Sequence, residues 1–170
     1  MIIGTLKEKK KFENRVAISP DEVKSYLKSG HQVLIEKGAG SLSGFTDKSY
    51  KEAGATITNS KEVLKTSEII IKINCPSPEE SKLISNKAMV VSQISTQNNQ
   101  ESIKILNSRK VSAFALELVP RITRAQDMDI LSSQANLAGY HAVIDAAQEF
   151  NRVLPLFMTC LLYTSDAADD

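Results

Sequence analysis

The segment Glu68 to Asn74 (EIIIKIN) constrains the fold more than any other in this chain. Its consecutive isoleucines leave no polar face, so it reads as a strand covered on both sides, the environment of a parallel sheet. Lys72 inside that run must reach a partner or the strand end, because an unpaired buried ammonium is costly.

Around this strand, apolar stretches alternate with helical patterns. Met1 to Thr5, Gln32 to Glu36, Ala88 to Ile94 and Val111 to Leu116 read as strands. Ser19-Pro20-Asp21-Glu22 is a helix start: Ser19 caps, Pro20 occupies a first-turn position whose N–H is unpaired in any case, and Glu22 completes a capping box. Gly30 ends that helix. Phe45 to Gly54, Ser60 to Thr66, Pro78 to Ile84 and Asn99 to Ser108 read as further helices. This alternation predicts right-handed βαβ units and an α/β fold, a parallel sheet flanked by helices. From Asp127 to Arg152 the period changes. Ile130, Leu131, Leu137, Ala138, Val143, Ile144, Ala147 and Phe150 recur at three- and four-residue steps, which predicts one long amphipathic helix. An exposed apolar stripe on it predicts self-association.

At 170 residues with 24% charged and 42% hydrophobic residues, the chain suits one soluble domain plus a tail. A net charge of +1 gives no electrostatic reason to expect nucleic acid, and the cluster Lys7, Lys9, Lys10, Lys11 reads as a solvated loop. Cys75 and Cys160 make no disulfide framework, and no secretory signal opens the chain, so a cytoplasmic protein is expected. Val153 to Ser165, the longest nearly uncharged run, falls short of the ~20 apolar residues that span a bilayer. Cys160 to Asp170 (CLLYTSDAADD) resembles a translated sequencing adaptor, so residues 153–170 are expected to be a truncated end and 160–170 a non-native tail.

Few residues carry recognisable chemistry. Gly38 to Gly44 (GAGSLSG) follows a strand, but Ser43 stands where a dinucleotide fingerprint needs glycine, so the segment reads as a turn. His31 and His141 have no Cys or carboxylate at ligand spacing, and no metal site is expected. Arg15 and Lys72, near strand edges, either hold a carboxylate ligand together or each pair with a structural carboxylate such as Glu8 or Glu36. Between Val119 and Tyr140 the chain gathers Arg121, Gln126, Asp129 and Ser132. The last three are spaced to share one helix face. With Arg121 they form either a donor and acceptor array suited to a carboxamide, as hydride transfer to or from a nicotinamide requires, or an elaborate helix cap with an exposed polar face.

Val119 to Phe150 (VPRITRAQDMDILSSQANLAGYHAVIDAAQEF), the opening IGTLKEKKKFENRVAISP, the loop EKGAGSLSGF and the strand EIIIKIN together resemble the N-terminal part of proton-translocating NAD(P) transhydrogenase alpha subunits. The resemblance implies an NAD(H)-binding unit of two α/β subdomains. This chain would hold the first over residues 1–126 and a linking helix over 127–152. It further implies that Arg121, Asp129 and Ser132 orient the nicotinamide carboxamide and that Gln126 reaches toward NADP(H) on the partner subunit. Hydride would pass directly between the two nicotinamides, coupled to proton translocation. The implied partners are a beta subunit, membrane segments and a second alpha subunit, which place the protein peripherally on the cytoplasmic membrane. No G-x-G-x-x-G follows a strand, so the Rossmann subdomain is expected to be missing and the fragment alone to be inactive. Alanine dehydrogenases resemble the same opening and lysine-bearing strand. In them the counterparts of Arg15 and Lys72 hold the substrate carboxylate, and a histidine acts as acid and base near the position of Ser95.

Overall fold

A computed structural model describes residues 1–152; the expectations for 153–170 lie outside the described residues. Two compact units divide the chain, Met1–Ile130 and a second beginning at Leu131. In the first unit, β1 (Ile2–Thr5), β2 (Gln32–Glu36), β3 (Thr56–Thr58), β4 (Ile69–Asn74), β5 (Met89–Gln93) and β6 (Ser112–Ala115) form one sheet in the order β3-β2-β1-β4-β5-β6. Every pairing is parallel, with Ile3 opposite both Val33 and Ile69. The alternation of strands and helices gives this α/β sheet directly. The short edge strand β3 is an addition that the sequence reading lacked.

Five helices join the strands: α1 (Pro20–Lys28), α2 (Asp47–Glu52), α3 (Ser60–Thr66), α4 (Pro78–Leu83) and α5 (Gln100–Ser108). The expected capping box at Ser19 and Glu22 is present. At the other end of α1, the Gly30 N–H donates to the Leu27 carbonyl and the His31 N–H to that of Tyr26, with Gly30 at φ +79°. That is the left-handed glycine cap expected there. The start of α2 is corrected: Thr46 accepts the Ser49 N–H and caps the helix, so Phe45 lies before it.

Both faces of the sheet are covered, as the isoleucine run requires. Ile69 and Ile71 pack with Val23, Val33 and Tyr50 on the α1 and α2 side, while Ile70 packs with Val63, Leu64 and Ile84 on the α3 and α4 side. Tyr50 is fully buried, and its hydroxyl donates to the Ile18 carbonyl at 2.7 Å.

The second unit, as far as it is described, consists of α6 (Ile130–Glu149) without its first residue. The expected amphipathic stripe is corrected. At about 100° per residue, Ser132, Ser133 and Asn136 occupy the side later filled by Tyr140, Val143 and Ala147. Leu131, Ala135 and Ala138 occupy the side later filled by Asp145 and Glu149. The apolar face therefore changes sides along the helix, and only the second half, from Leu137 onward, has a sustained apolar face. Among the described residues no helix is long and apolar enough to cross a membrane.

Candidate functional site

Strand order reverses beside β1: the chain steps outward from β1 through β2 to β3, then returns to place β4 on the other flank of β1. In open parallel sheets such a switch point opens a crevice beyond the carboxyl ends of the strands. A cleft of about 540 Å³ lies there, lined among others by Glu8, Lys9, Lys72, Asn74, Glu80 and Ser95.

Its charges are spent on one another. Lys72 Nζ donates to Glu80 Oε2 at 2.8 Å, and the two side chains are only 3% and 5% exposed. Glu80 also closes a capping box at the start of α4, where the same oxygen accepts the Ser77 N–H at 3.1 Å. Its other oxygen lies 2.8 Å from Lys9 Nζ. Burial pushes the Glu80 carboxyl up, but Lys72 and Lys9 outweigh it and hold the group below the usual carboxylate range. Nearby, Arg15 donates from two nitrogens to Glu13 at 2.7 Å each. Those bonds, with further donors, bring the Glu13 carboxyl down to about 2. Glu8 accepts the Ile73 N–H and the Asn74 side-chain amide. Arg15 and Lys72 thus pair with structural carboxylates, and the partners are Glu13 and Glu80 rather than Glu8 or Glu36. Sequence reading overlooked Glu80 because its capping role is complete in itself. The available signal was that a capping box immediately after β4 returns its carboxylate toward that strand.

At the end of β5, Ser95 adopts φ +49°, which is uncommon outside glycine. The Glu117 carboxylate accepts the Ser95 N–H at 2.7 Å and the Ile94 N–H at 3.0 Å. Sequence reading did not single out Glu117. Cys75, also at the cleft, has its thiol pushed up to about 11, by burial first and with the nearby glutamates adding to it against Lys72.

The glycine loop is a turn, as expected. The Gly38 N–H donates to Asp47 Oδ1 at 2.8 Å, and the Phe45 N–H to the Gly40 carbonyl at 2.9 Å. A protein carboxylate holds the donor that a phosphate would need.

Beyond β6 the chain makes a 3-10 turn at Leu116–Leu118, passes Pro120, and makes another over Thr123–Met128 before α6. The shared helix face expected for Gln126, Asp129 and Ser132 is corrected. Gln126 lies in the 3-10 turn, Asp129 is extended at φ −78° and ψ 90°, and Ser132 stands in the first turn of α6. Asp is favoured directly before a helix, which accounts for the later start at Ile130. The Arg121 side chain is 67% exposed, and its Nε lies 3.8 Å from Asp129 Oδ2. Asp129 is only 13% exposed, and Ala125 is buried beneath the turn. A guanidinium, a carboxylate and an amide on one exposed loop supply donors and acceptors of the kind a carboxamide needs. Among the described residues no cluster of His, Cys, Asp and Glu could hold a metal.

Residues 4–138 match the family model described as alanine dehydrogenase/PNT, N-terminal domain. The chain belongs to this family.

Its similarity within the family is strong on the transhydrogenase side. The first portion of NAD(P) transhydrogenase subunit alpha of Rhodospirillum rubrum is 42% identical over 165 residues, which cover 94% of this chain and 43% of that protein. The crystal structure of transhydrogenase from Sinorhizobium meliloti matches with a TM-score of 0.86 at 43% identity, over 95% of this chain and 48% of that one. An L-alanine dehydrogenase structure matches with a TM-score of 0.68 at 31% identity, over 73% of this chain and 34% of that one. The chain spans less than half the length of these relatives.

Proposed function

We propose that this chain is the N-terminal part of the NAD(H)-binding alpha subunit of a proton-translocating NAD(P) transhydrogenase, with residues 1–126 as its first subdomain and 127–152 as the linking helix. The observation that carries the reading is the contrast between a cleft whose cations are neutralised internally and a loop that presents Arg121 to solvent beside Asp129.

Bound NAD(H) supplies the hydride, which passes directly to NADP(H) on the partner subunit. Arg121 and Asp129 orient the carboxamide, the guanidinium donating to its oxygen and the carboxylate accepting from its amide. Gln126, an uncharged donor and acceptor on the same loop, reaches toward the partner's nicotinamide. Ser132 joins them on its place in the RITRAQ-to-AGY motif. None of these groups has to gain or lose a proton, which suits a reaction in which positioning is the protein's task. The full assembly pairs two alpha subunits with a beta subunit and membrane segments at the cytoplasmic membrane, and the fragment alone is inactive.

The alanine dehydrogenase reading has one observation against it. Lys72 is engaged by Glu80 and Arg15 by Glu13, and Ser95 cannot serve as the proton carrier that imine chemistry requires. A chain extended to the length of its relatives and joined to its membrane partner decides between them. Transhydrogenation from NADH to an NADP+ analogue is expected, with Arg121→Ala lowering kcat/KM by about a hundredfold, the loss of one charged and bidentate contact. Pyruvate- and ammonium-dependent NADH oxidation instead would overturn the proposal.

A further inference from the structure

Between the switch-point cleft and the Arg121–Asp129 loop stands a carboxylate that neither of them uses. β5 and β6 pair from Met89 with Ser112 to Ser92 with Ala115, and there β6 turns away into the 3-10 turn at Leu116–Leu118. Past that point β6 no longer supplies acceptors to the Ile94 and Ser95 amides. Glu117, in the turn, takes over: Oε2 accepts from Ile94 at 3.0 Å and Oε1 from Ser95 at 2.7 Å. Asn99 holds the opposite side of the same peptides, its side-chain amide donating to the Ile94 carbonyl at 2.8 Å. The end of β5 is therefore gripped from both sides, which accounts for the left-handed Ser95.

Glu117 lies four residues before Arg121, and Pro120 with its fixed φ stiffens the link between them. Downstream, the turn is held by the burial of Ala125 and by its N–H, which donates to the Ile122 carbonyl at 2.9 Å. Ile122 and Met128 themselves are exposed. The loop thus has an anchor at each end of its polar stretch, the first built from charge-assisted bonds and the second from burial and a neutral backbone bond.

We infer that Glu117 is a positioning residue for the Arg121–Asp129 loop, fixing where it leaves the sheet by clamping the Ile94 and Ser95 amides. Its bearing on the reaction rests on the transhydrogenase reading proposed above; its bearing on the loop does not. Two bonds to a charged acceptor stiffen a take-off point without touching any ligand. Glu117→Gln keeps the shape but turns an N–H2 toward one of the amides, so one bond is replaced by a donor facing a donor. Glu117→Asp keeps the charge on a shorter arm.

Amide hydrogen exchange on the 170-residue chain tests the loop assignment. In Glu117→Gln, exchange at Ile94, Ser95, Ile122 and Ala125 is expected to quicken by about tenfold or more, the loss of one bond to a charged group. Ile70 and Val90 in the sheet are expected to keep their protection, and Glu117→Asp to restore part of what is lost. Faster exchange at Ile94 and Ser95 with Ile122 and Ala125 unchanged would overturn the proposal, as would equal quickening at all six sites, which marks global destabilisation. In the extended enzyme, Glu117→Gln is expected to raise KM for NADH with kcat little changed, and an unchanged KM refutes the catalytic half of the inference. Absence of transhydrogenation in the unsubstituted enzyme refutes the functional reading and leaves the exchange result to stand by itself.

Discussion

The cleft beside β1 and the loop beyond β6 are made from similar residue types and differ in what those residues face. In the cleft, Lys72, Glu80, Glu13 and Arg15 neutralise one another, and the Lys72–Glu80 pair is almost wholly buried. In the loop, Arg121 stands in solvent at the long distance of 3.8 Å from its carboxylate. Closely paired charges set the shape of the first region and are costly to separate. The loosely paired charge in the second leaves a guanidinium able to meet a ligand. Density of charged residues alone does not mark a binding site; the unmet hydrogen-bonding capacity of those residues does.

The largest effect that would sharpen this contrast is expected at Lys72. Lys72→Ala leaves Glu80 buried with its main partner gone, and urea unfolding should show a loss of about 3–5 kcal/mol. Replacing both residues by apolar ones of similar size should restore most of that loss. A single substitution costing under about 0.5 kcal/mol, the range of ordinary surface changes, would show that the cleft charges are not mutually dependent.

A smaller and pH-dependent effect is expected at Glu13. Its carboxyl is brought from 4.5 down to about 2 by the hydrogen bonds from Arg15. A depressed carboxylate stabilises the fold fully above its unfolded value and loses that contribution as pH falls through its folded value. The stability gap between the parent chain and Glu13→Gln should therefore be about 1 kcal/mol near neutrality, allowing for the half-exposed Arg15. It should shrink between pH 4.5 and about 2. A gap that persists at the acid end breaks the assignment.

The smallest change in stability is expected in the loop. Arg121→Ala should move the unfolding free energy by less than about 0.5 kcal/mol, as exposed substitutions do. A large loss there would make Arg121 structural, and the contrast between the two regions would collapse.

How much of this was legible in the sequence varies with how local the signal is. Caps at Ser19 and Gly30 and the isoleucine run state their structure within a few residues, and the sheet follows from their alternation. Strand β3, only Thr56–Thr58, is too short for a period to register. The start of α6 depended on whether Asp127 or Asp129 stood before the helix, and residues 127 and 129 have the same side chain. The change of apolar side along α6 stayed hidden because its residues still recur at three- and four-residue steps in each half. In the candidate site, Arg121 and its neighbours could be picked out by type and motif. Glu80 and Glu117 could not, since their partners Lys72, Ile94 and Ser95 are brought to them by strand order rather than by spacing in the chain.

Strand order also sets a timetable. Of the six strands, the first to be made is a central one, and Ile3 lies between Val33 and Ile69. As the chain is synthesised, β1 can acquire its β2 neighbour early, yet its other edge stays open until β4 has been made. Nascent chains halted between those two points would carry an exposed row of backbone donors and acceptors on a strand destined for the interior, the kind of edge that recruits other chains. Chaperone dependence should therefore peak for nascent chains ending before Ile69 and fall once Asn74 has emerged.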